Sequence, residues 1–530
     1  FSTMVMAPGE NEMTIDGKKV NLSVAADMGV GGEIILPAEE IAEAIGATAQ
    51  VDRASGELNI VRGEEKIKMG SSVAELQSNL DISDEYEEAM SSEEEAILLD
   101  NATVSEQDAE DQLCLDVKAV DGKIVVTSPY QSKQIILYVK GGRNLSQNYG
   151  ATDFATNGKG LYFLQYETEK QTKAAFEAFE ASNAIEYVTV NGIMTLDSTA
   201  STESSSINLG SWGTDGDGVN SMGIQAGRMK NILSGNQNEI LVGVVDTGVD
   251  SKYLNVRGGH EFLQGRTTEP SSATDDTKGY DVVNSTNNAM DIGSHGTHVS
   301  GTIVDCTPDN VKVLPVKAAK IFNEGTSREK TAFATSDVVL GMHYAADHGA
   351  KVINLSLGGS CTGDCLKKEA IESINAQAAE RGENPPIFVI AAGNDGTDVG
   401  SHCPARHSLD FDNVITVGAV DKYDLPASFS NYGQAVDVCA PGVSIRSCVP
   451  GNAYALKNGT SMATPHVSAA VAMLILRHPD YTPAQIKALL KSMTVDLNTA
   501  GWDGVQVTTK VLPILHKERS IPALVISPWE

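Results

Sequence analysis

Two runs of aliphatic and β-branched residues, each closed by a polar or glycine-rich motif, constrain this chain most. Ile240-Leu-Val-Gly-Val-Val245 runs into Asp246-Thr-Gly248, and Ile387-Phe-Val-Ile-Ala-Ala392 runs into Gly393-Asn394-Asp395-Gly396. A strand that is apolar at every position has no face for water, which is the habit of parallel strands covered by helices on both sides. A third run, Val311 to Val316, lies between them. These runs predict an α/β fold with a mainly parallel central sheet. In such open sheets, functional groups gather at the carboxyl ends of the strands, and Asp246 and Asn394 both lie there.

Downstream, Gly459-Thr-Ser461-Met-Ala-Thr-Pro465-His466 precedes an apolar run, Val467 to Leu476, that reads as a buried helix. Ser461 is thereby expected at or near the helix N-terminus, where unpaired backbone N–H groups favour negative charge and suit an oxyanion. Pro465 is expected in the first turn, where its missing N–H has no intrahelical partner to lose. A serine there could equally be a plain cap. Between the first strand and this helix comes Gly293-Ser-His295-Gly-Thr-His298-Val-Ser-Gly301.

Each fragment has a simpler reading in isolation. Asp-Thr-Gly is a common turn and an aspartic-protease half-site, but that chemistry needs two carboxylates sharing a proton, and the chain has no second half-site. His295-x-x-His298 could suggest metal ligation, yet no His-Glu-x-x-His and no third ligand accompany it, so no metal site is expected. Asn394 taken alone is a loop residue.

Taken together and in the order Asp…His…Ser, the motifs carry a specific resemblance. Asp246-Thr-Gly, His295-Gly-Thr-His, Asn354-Leu-Ser-Leu-Gly-Gly359, Ala391-Ala-Gly-Asn394 and the octapeptide at 459–466 resemble the subtilisin-like serine peptidases (subtilases, family S8) over about residues 210–495. Asp437-Val-Cys-Ala-Pro-Gly-Val-Ser-Ile445 extends the resemblance between motifs. The order of the triad separates this family from chymotrypsin-like enzymes and α/β-hydrolases.

The resemblance implies a role for each matching residue. Ser461 attacks the scissile carbonyl, His295 moves the proton and Asp246 orients the imidazole, while His298 is structural. Asn394 and the Ser461 N–H form the oxyanion hole. Ser356, Leu357 and Gly358 bind an extended peptide by strand pairing. Ala391, Ala392 and Gly393 line the slot for the residue preceding the scissile bond. Asp395 stands at its rim, where a carboxylate would favour basic residues or simply be solvated, and His402-Cys403-Pro404 forms its far wall. Substrates are proteins or peptides, and no cofactor is required. The calcium-binding insertion common after the histidine motif has no room here, because Ile303 leads through Asp305-Cys306-Thr-Pro-Asp-Asn310 directly into Val311. The usual strong calcium site is therefore expected to be absent, and the acidic turns Asp215–Gly218 and Asp395–Asp398 are weaker candidates.

Upstream, a strand within Gly160–Tyr166, an amphipathic helix over Glu169–Ala181 and a strand over Ile185–Met194, with an earlier strand at Gln134–Val139, resemble the small α+β propeptide of subtilases. That resemblance implies an intramolecular chaperone and inhibitor, with self-cleavage expected within 195–210. Nearer the start, Met13–Leu22 alternates as strand around Asp-Gly, and Leu36–Gly46 contains a short helix. This pattern resembles the β-rich module named after the copper amine oxidase N-terminal domain, here without a metal-ligand cluster. The expected organisation is a signal-peptide remnant at 1–7, this module at 8–80, an acidic linker at 81–112, a propeptide at 113–197 and a linker with the maturation site at 198–209. The catalytic domain follows at 210–500, with a divergent tail at 501–530. Asp81 to Asp111 contains no Lys or Arg, a composition that repels itself and reads as a disordered or partly helical linker.

A net charge of −31 argues against non-specific nucleic-acid binding, which needs clustered cations. No apolar run reaches the ~18–20 residues of a membrane span. Cys361 and Cys365 are close enough in sequence to pair, with Cys403 near them, and Cys439 reads as a buried thiol. The sequence therefore reads as a secreted or cell-envelope, bacterial-type serine endopeptidase made as a zymogen. A processing protease selecting basic sites and a catalytically silent envelope-binding protein are the alternatives.

Overall fold

The computed structural model describes residues 3–511 apart from 16–17, 29–33, 53–56, 63–64, 70–101, 121–122, 131, 157–159, 192, 197–198, 204–210, 216–223, 225, 252–258, 269–278, 323–329, 361–365, 424 and 497–509. The chain divides into two compact units, Phe1–Gly192 and Ile193–Glu530.

In the second unit the three apolar runs become strands Ile240–Asp246, Val311–Lys317 and Ile387–Ala391. Among the described residues they belong to a nine-stranded sheet. Ile240–Asp246 is its first long strand in sequence and pairs in parallel with Val311–Lys317 on one side and Val352–Leu355 on the other. Ile387–Ala391, Val414–Val420 and Val438–Pro441 then extend the sheet, each parallel to the one before. The chain thus leaves the first strand in both directions, and the crevice above such a reversal is where ligands bind in open sheets. Buried residues such as Val242, Val244, Val389 and Val417 meet Val299, Ile303, Val467 and Val471 from two helices in one core cluster. Each fully buried side chain of this size contributes ~1.5–3 kcal/mol of transfer free energy.

Those helices are the histidine helix, His295–Cys306, and the nucleophile helix, Thr460–Arg477. The nucleophile helix starts earlier than its apolar run suggests. Pro465 consequently lies in the second turn and not the first, and its missing N–H leaves the Ser461 carbonyl without a helical donor. After the histidine helix only residues 307–310 precede Val311–Lys317, so the connection is as short as the sequence indicates.

The region preceding the nine-stranded sheet differs most from expectation. Ile185–Met194 is not one strand. Ile185–Val190 ends at Asn191, and a separate strand, Ile193–Leu196, belongs to the second unit, between Lys330–Ala334 and Leu357–Ser360. Thr199–Glu203, expected as irregular linker, is a strand paired antiparallel with Ala453–Asn458. At the other end Lys510–Val511 joins the sheet beside Val438–Pro441, inside the stretch expected as a tail.

In the first unit, Thr3–Met6, within the stretch expected as a signal remnant, is a strand paired on both sides, with Met4 and Met6 buried. Its neighbour Lys123–Thr127 pairs in turn with Asp116–Val120, so residues assigned to the propeptide complete the sheet of the N-terminal module. Thr103–Ser105 and the helix Glu106–Asp111 are also built into this part, although they fall within the expected acidic linker. Ala109 and Val104 enter the same apolar core as Leu36 and Ile41, and burial of these few residues outweighs the charge around them. The rest of that linker, residues 70–101, lies outside the described residues. The four-stranded sheet of Asp153–Thr156, Leu161–Gln165, Gln134–Val139 and Ile185–Val190 is antiparallel. Helix Glu169–Glu180 buries Ala175 and Phe179 among Ile135, Leu137 and Leu164 of this sheet. A capping box between Thr168 and Gln171 sets the start of that helix, satisfying two backbone donors at once.

Candidate active site

Asp246 ends the first central strand and His295 opens a helix 49 positions later, yet their side chains meet. His295 Nδ1 lies 2.8 Å from Asp246 Oδ1 and 3.0 Å from Oδ2, with both residues wholly buried. A carboxylate accepts only, so Nδ1 carries the proton and donates, which leaves Nε2 of the neutral ring as an acceptor. His295 Nε2 has no hydrogen-bond partner among the described residues. The approach depends on the next residue being glycine: a Cβ at Gly296 would sit 2.1 Å from the Gly248 carbonyl oxygen.

A buried carboxylate holds this pair in place. Asp291 accepts from Thr247 Oγ1 at 2.7 Å and from the Gly293 N–H at 2.8 Å. It also accepts from the Thr297 N–H at 2.9 Å and Thr297 Oγ1 at 2.5 Å. Asp291 therefore binds the first turn of the histidine helix, where a negative charge also complements the helix dipole. On the other side Lys457, 4% exposed, donates to Ser294 O and Oγ at 3.1 and 3.0 Å. Ser294 adopts φ 60°, a left-handed conformation rare for a residue with a side chain. Burial pushes the Lys457 ammonium down, opposed by Asp291 and Asp246. The sequence reading missed Asp291 and Lys457; an acidic residue just before a helix start was the only signal, and it marks Asp291 alone.

Ser461 is the second residue of the nucleophile helix and is fully buried. Around it the helix donors are already allotted. The Thr460 N–H goes to Asn394 Oδ1 at 2.9 Å, and the Met462 N–H to Gly459 O at 3.0 Å. The Ser461 N–H lies between these two. Thr460 Oγ1 also donates to Asn394 Oδ1 at 3.1 Å, so the amide is held by its oxygen and its NH2 end faces the other way. In this arrangement Ser461 Oγ donates to Ser356 O at 2.9 Å. The Ser356 hydroxyl in turn donates to Ser461 O at 2.9 Å, supplying the donor that Pro465 cannot. Asn354 Nδ2 donates to Ser356 Oγ at 3.0 Å, and Ser468 Oγ donates to Asn354 Oδ1 at 2.8 Å. This buried chain ties one sheet strand to two turns of the nucleophile helix.

His298 lies on the buried side of its helix. Its Nε2–H is shared between Ile445 O at 3.0 Å and Ala455 O at 3.1 Å, and burial pushes its pKa well down. It stays neutral and braces two strands.

Of the expected substrate-binding residues, Leu357 and Gly358 lie in a strand whose backbone faces Leu196 and Thr195 of the chain itself. Ser356 directly precedes that strand. Ala391 ends its sheet strand, the Ala392 N–H donates to Val417 O at 3.0 Å and the Gly393 N–H donates to Thr460 Oγ1 at 3.1 Å. The structure thus joins Asp246 to His295 and, in a second set, Ser461 to Ser356 and Thr460 to Asn394 and Gly393, with the helices that carry His295 and Ser461 packed in one core cluster. The Asp395 side chain is 61% exposed, and His402 Nδ1 is 4.0 Å from it. Cys403 and Cys439 are buried; Cys361, Cys365 and residues 216–218 of the acidic turn lie outside the described residues. Among the described residues no cluster of three His, Cys, Asp or Glu could hold a metal ion, and no helix is long and apolar enough to cross a membrane.

Residues 237–507 match the profile of the Subtilase family, Peptidase_S8. The chain is 35% identical over 268 residues to a subtilisin of Bacillus pumilus, covering 50% of this chain and 87% of that protein. It is 35% identical over the same length to subtilisin E of Bacillus subtilis (strain 168), where the matched part spans 63% of the relative. A cold adapted subtilisin-like serine proteinase of known structure is 31% identical, with a TM-score of 0.42 over 53% of this chain and 91% of that one.

Proposed function

The chain belongs to the subtilase family, and from that premise we propose that it is a secreted serine endopeptidase, made as a self-processing zymogen, that cuts peptide bonds through an acyl-enzyme on Ser461. The observation that carries the reading is the buried His295–Asp246 pair with an unengaged Nε2, together with a buried serine at the N-terminus of a helix that packs in one core cluster with the helix of His295. In the resting arrangement the hydroxyl is parked on Ser356 O, so catalysis begins when Ser461 changes rotamer and turns to His295.

Ser461 Oγ then attacks the scissile carbonyl carbon while His295 Nε2 takes its proton. Asp246 stabilises the imidazolium without itself becoming protonated. The developing oxyanion is received by the Ser461 N–H and the Asn394 NH2 group, fixed donors that need no reorganisation. His295 delivers its proton to the leaving amine, and a water molecule, activated by the same nitrogen, releases the acid product.

Residues 113–197 are proposed to end in the inhibitory segment of the zymogen. Support comes from Ile193–Leu196, which occupies the position of an extended peptide between two strands of the cleft, and from the full burial of Ser461 in the uncut chain. Incubating the purified chain and its Ser461→Ala variant with casein, before and after limited trypsin treatment, tests the reading. Casein cleavage by the wild type alone is expected; equal inactivity of both after treatment would refute it.

A further inference from the structure

The connection that follows the histidine helix is built around one side chain from elsewhere in the chain. The Arg266 side chain is 12% exposed, and its backbone is fixed to the sheet. The Val313 N–H donates to Arg266 O at 2.9 Å, and Thr267 bridges to Val313 in parallel. All three guanidinium nitrogens then donate into residues 304–311. Nε donates to Val311 O at 3.3 Å, and Nη1 donates to Val304 O and Asp309 Oδ1, each at 3.3 Å. Nη2 donates to Pro308 O at 2.8 Å, Thr307 Oγ1 at 2.9 Å, Thr307 O at 3.0 Å and Val311 O at 3.3 Å. One largely buried cation is thus enclosed by six oxygens, four of them backbone carbonyls.

This cage lies where the backbone most needs a positive charge. The last carbonyls of a helix have no partner within it, and that end carries partial negative charge. Val304 O belongs to the last turn of the histidine helix and goes to Arg266. Its neighbours are served by other donors: Ile303 O by Thr307 Oγ1 at 2.7 Å and Asp305 O by Lys230 Nζ at 2.7 Å. Asn310 Nδ2 donates to Asn236 O at 3.1 Å and pins the far end of the connection. The Asp309 side chain is 97% exposed, so the carbonyls and the Thr307 hydroxyl do most of the holding.

Carbonyl, hydroxyl and carboxylate oxygens gathered around one point are also the donor set that calcium takes. The two uses exclude each other here. A metal ion would have to expel the guanidinium, which keeps its charge at any ordinary pH, and leave it without its acceptors. We propose that Arg266 is the resident cation of this cage: it closes the connection, caps the histidine helix and leaves the six oxygens with no place for calcium. The inference stands apart from the peptidase reading and concerns what holds the helix that carries His295. A cation that is part of the chain cannot dissociate, so its hold does not vary with free calcium. The planar fork is also essential, because the three donors of a lysine ammonium cannot span six oxygens.

Hydrogen exchange read by mass spectrometry on the full chain tests this, in a Ser461→Ala background to prevent self-digestion. The readout is the stretch 303–313, with Val414–Val420 of the same sheet as control. With Arg266 in place, exchange over 303–313 is expected to be the same in millimolar calcium and in excess chelator. Arg266→Met is expected to exchange there about 10- to 100-fold faster, the range set by losing hydrogen bonds to a charged group, with the control unchanged. If that variant does not fold, Arg266→Lys replaces it, and faster exchange over 303–313 is again expected. Calcium slowing exchange over 303–313 with Arg266 in place overturns the inference, because the cage then takes metal. A variant that exchanges there at the wild-type rate overturns it as well.

Discussion

Pro465 lies one turn inside the nucleophile helix, and the backbone acceptor it strands is that of Ser461 itself. The Ser356 hydroxyl takes the place of the missing donor, at 2.9 Å. Removing that hydroxyl leaves a buried acceptor unsatisfied, at a cost of ~1–3 kcal/mol. Ser356→Ala, measured by urea unfolding in a Ser461→Ala background to prevent self-digestion, is expected to lose stability in that range. On a Pro465→Ala background the loss should shrink, because the restored alanine N–H can reach Ser461 O; equal losses would show that the hydroxyl has another role. Asn394→Ala is expected to lower kcat by about 100- to 1,000-fold with little change in KM, a magnitude carried over from a subtilisin oxyanion donor. Steady-state kinetics on the processed enzyme check this, and a loss confined to KM would remove Asn394 from the oxyanion hole. At this scale the candidate side chains could be proposed from sequence because each sits in a local motif. Lys457, Asp291 and the hydroxyl of Ser356 could not. Their work lies in contacts such as Lys457 to Ser294, 163 positions apart, for which no local pattern exists.

The two helices that carry His295 and Ser461 each hold a buried histidine through which acid should act on stability. His466 is fully buried and donates from Nδ1 to Met462 O at 2.9 Å, and burial pushes its pKa down to about 4. His298 is pushed down in the same direction. A histidine depressed in the folded state stays neutral there while the unfolded chain takes up a proton below pH ~6.5, so stability is lost as pH falls from about 6.5 towards 4. The loss from His466 alone is on the order of 3 kcal/mol. Urea midpoints across this window should fall with acidification, and His466→Gln should flatten the slope while lowering the neutral-pH midpoint; an unchanged slope would contradict the assignment. Among elements, the central strands were legible because they are apolar on both faces. The start of the nucleophile helix departs from expectation because proline costs least in a first turn, and here its cost is met instead by Ser356, which lies between two strands. The break at Asn191 was hidden because strand propensity runs on through Ile193–Leu196, and only pairing partners distinguish one sheet from another.

For the whole molecule, residues upstream of the nine-stranded sheet pair with Leu357–Gly358 and with Tyr454–Asn458, which lead into the motifs of Ser356 and Ser461, and Asp246, His295 and Ser461 are all fully buried. The unprocessed chain should therefore react with a fluorophosphonate at least ~10-fold more slowly than the processed enzyme, read by labelling time courses; equal rates would mean that the flanking strands do not guard the site. Domain boundaries were the least legible feature. Acidic composition marks 81–112 as linker, whereas Val104 and Ala109 enter a folded core together with Met4 and Met6. The central claim is that Ser461 is a nucleophile activated by His295. Mass mapping of the processed enzyme after fluorophosphonate treatment tests it most directly. The account predicts one adduct, on the peptide containing Ser461, that is absent in Ser461→Ala and strongly slowed in His295→Ala. An adduct on another serine, or none on an enzyme whose flanking strands have been cleared, would contradict it.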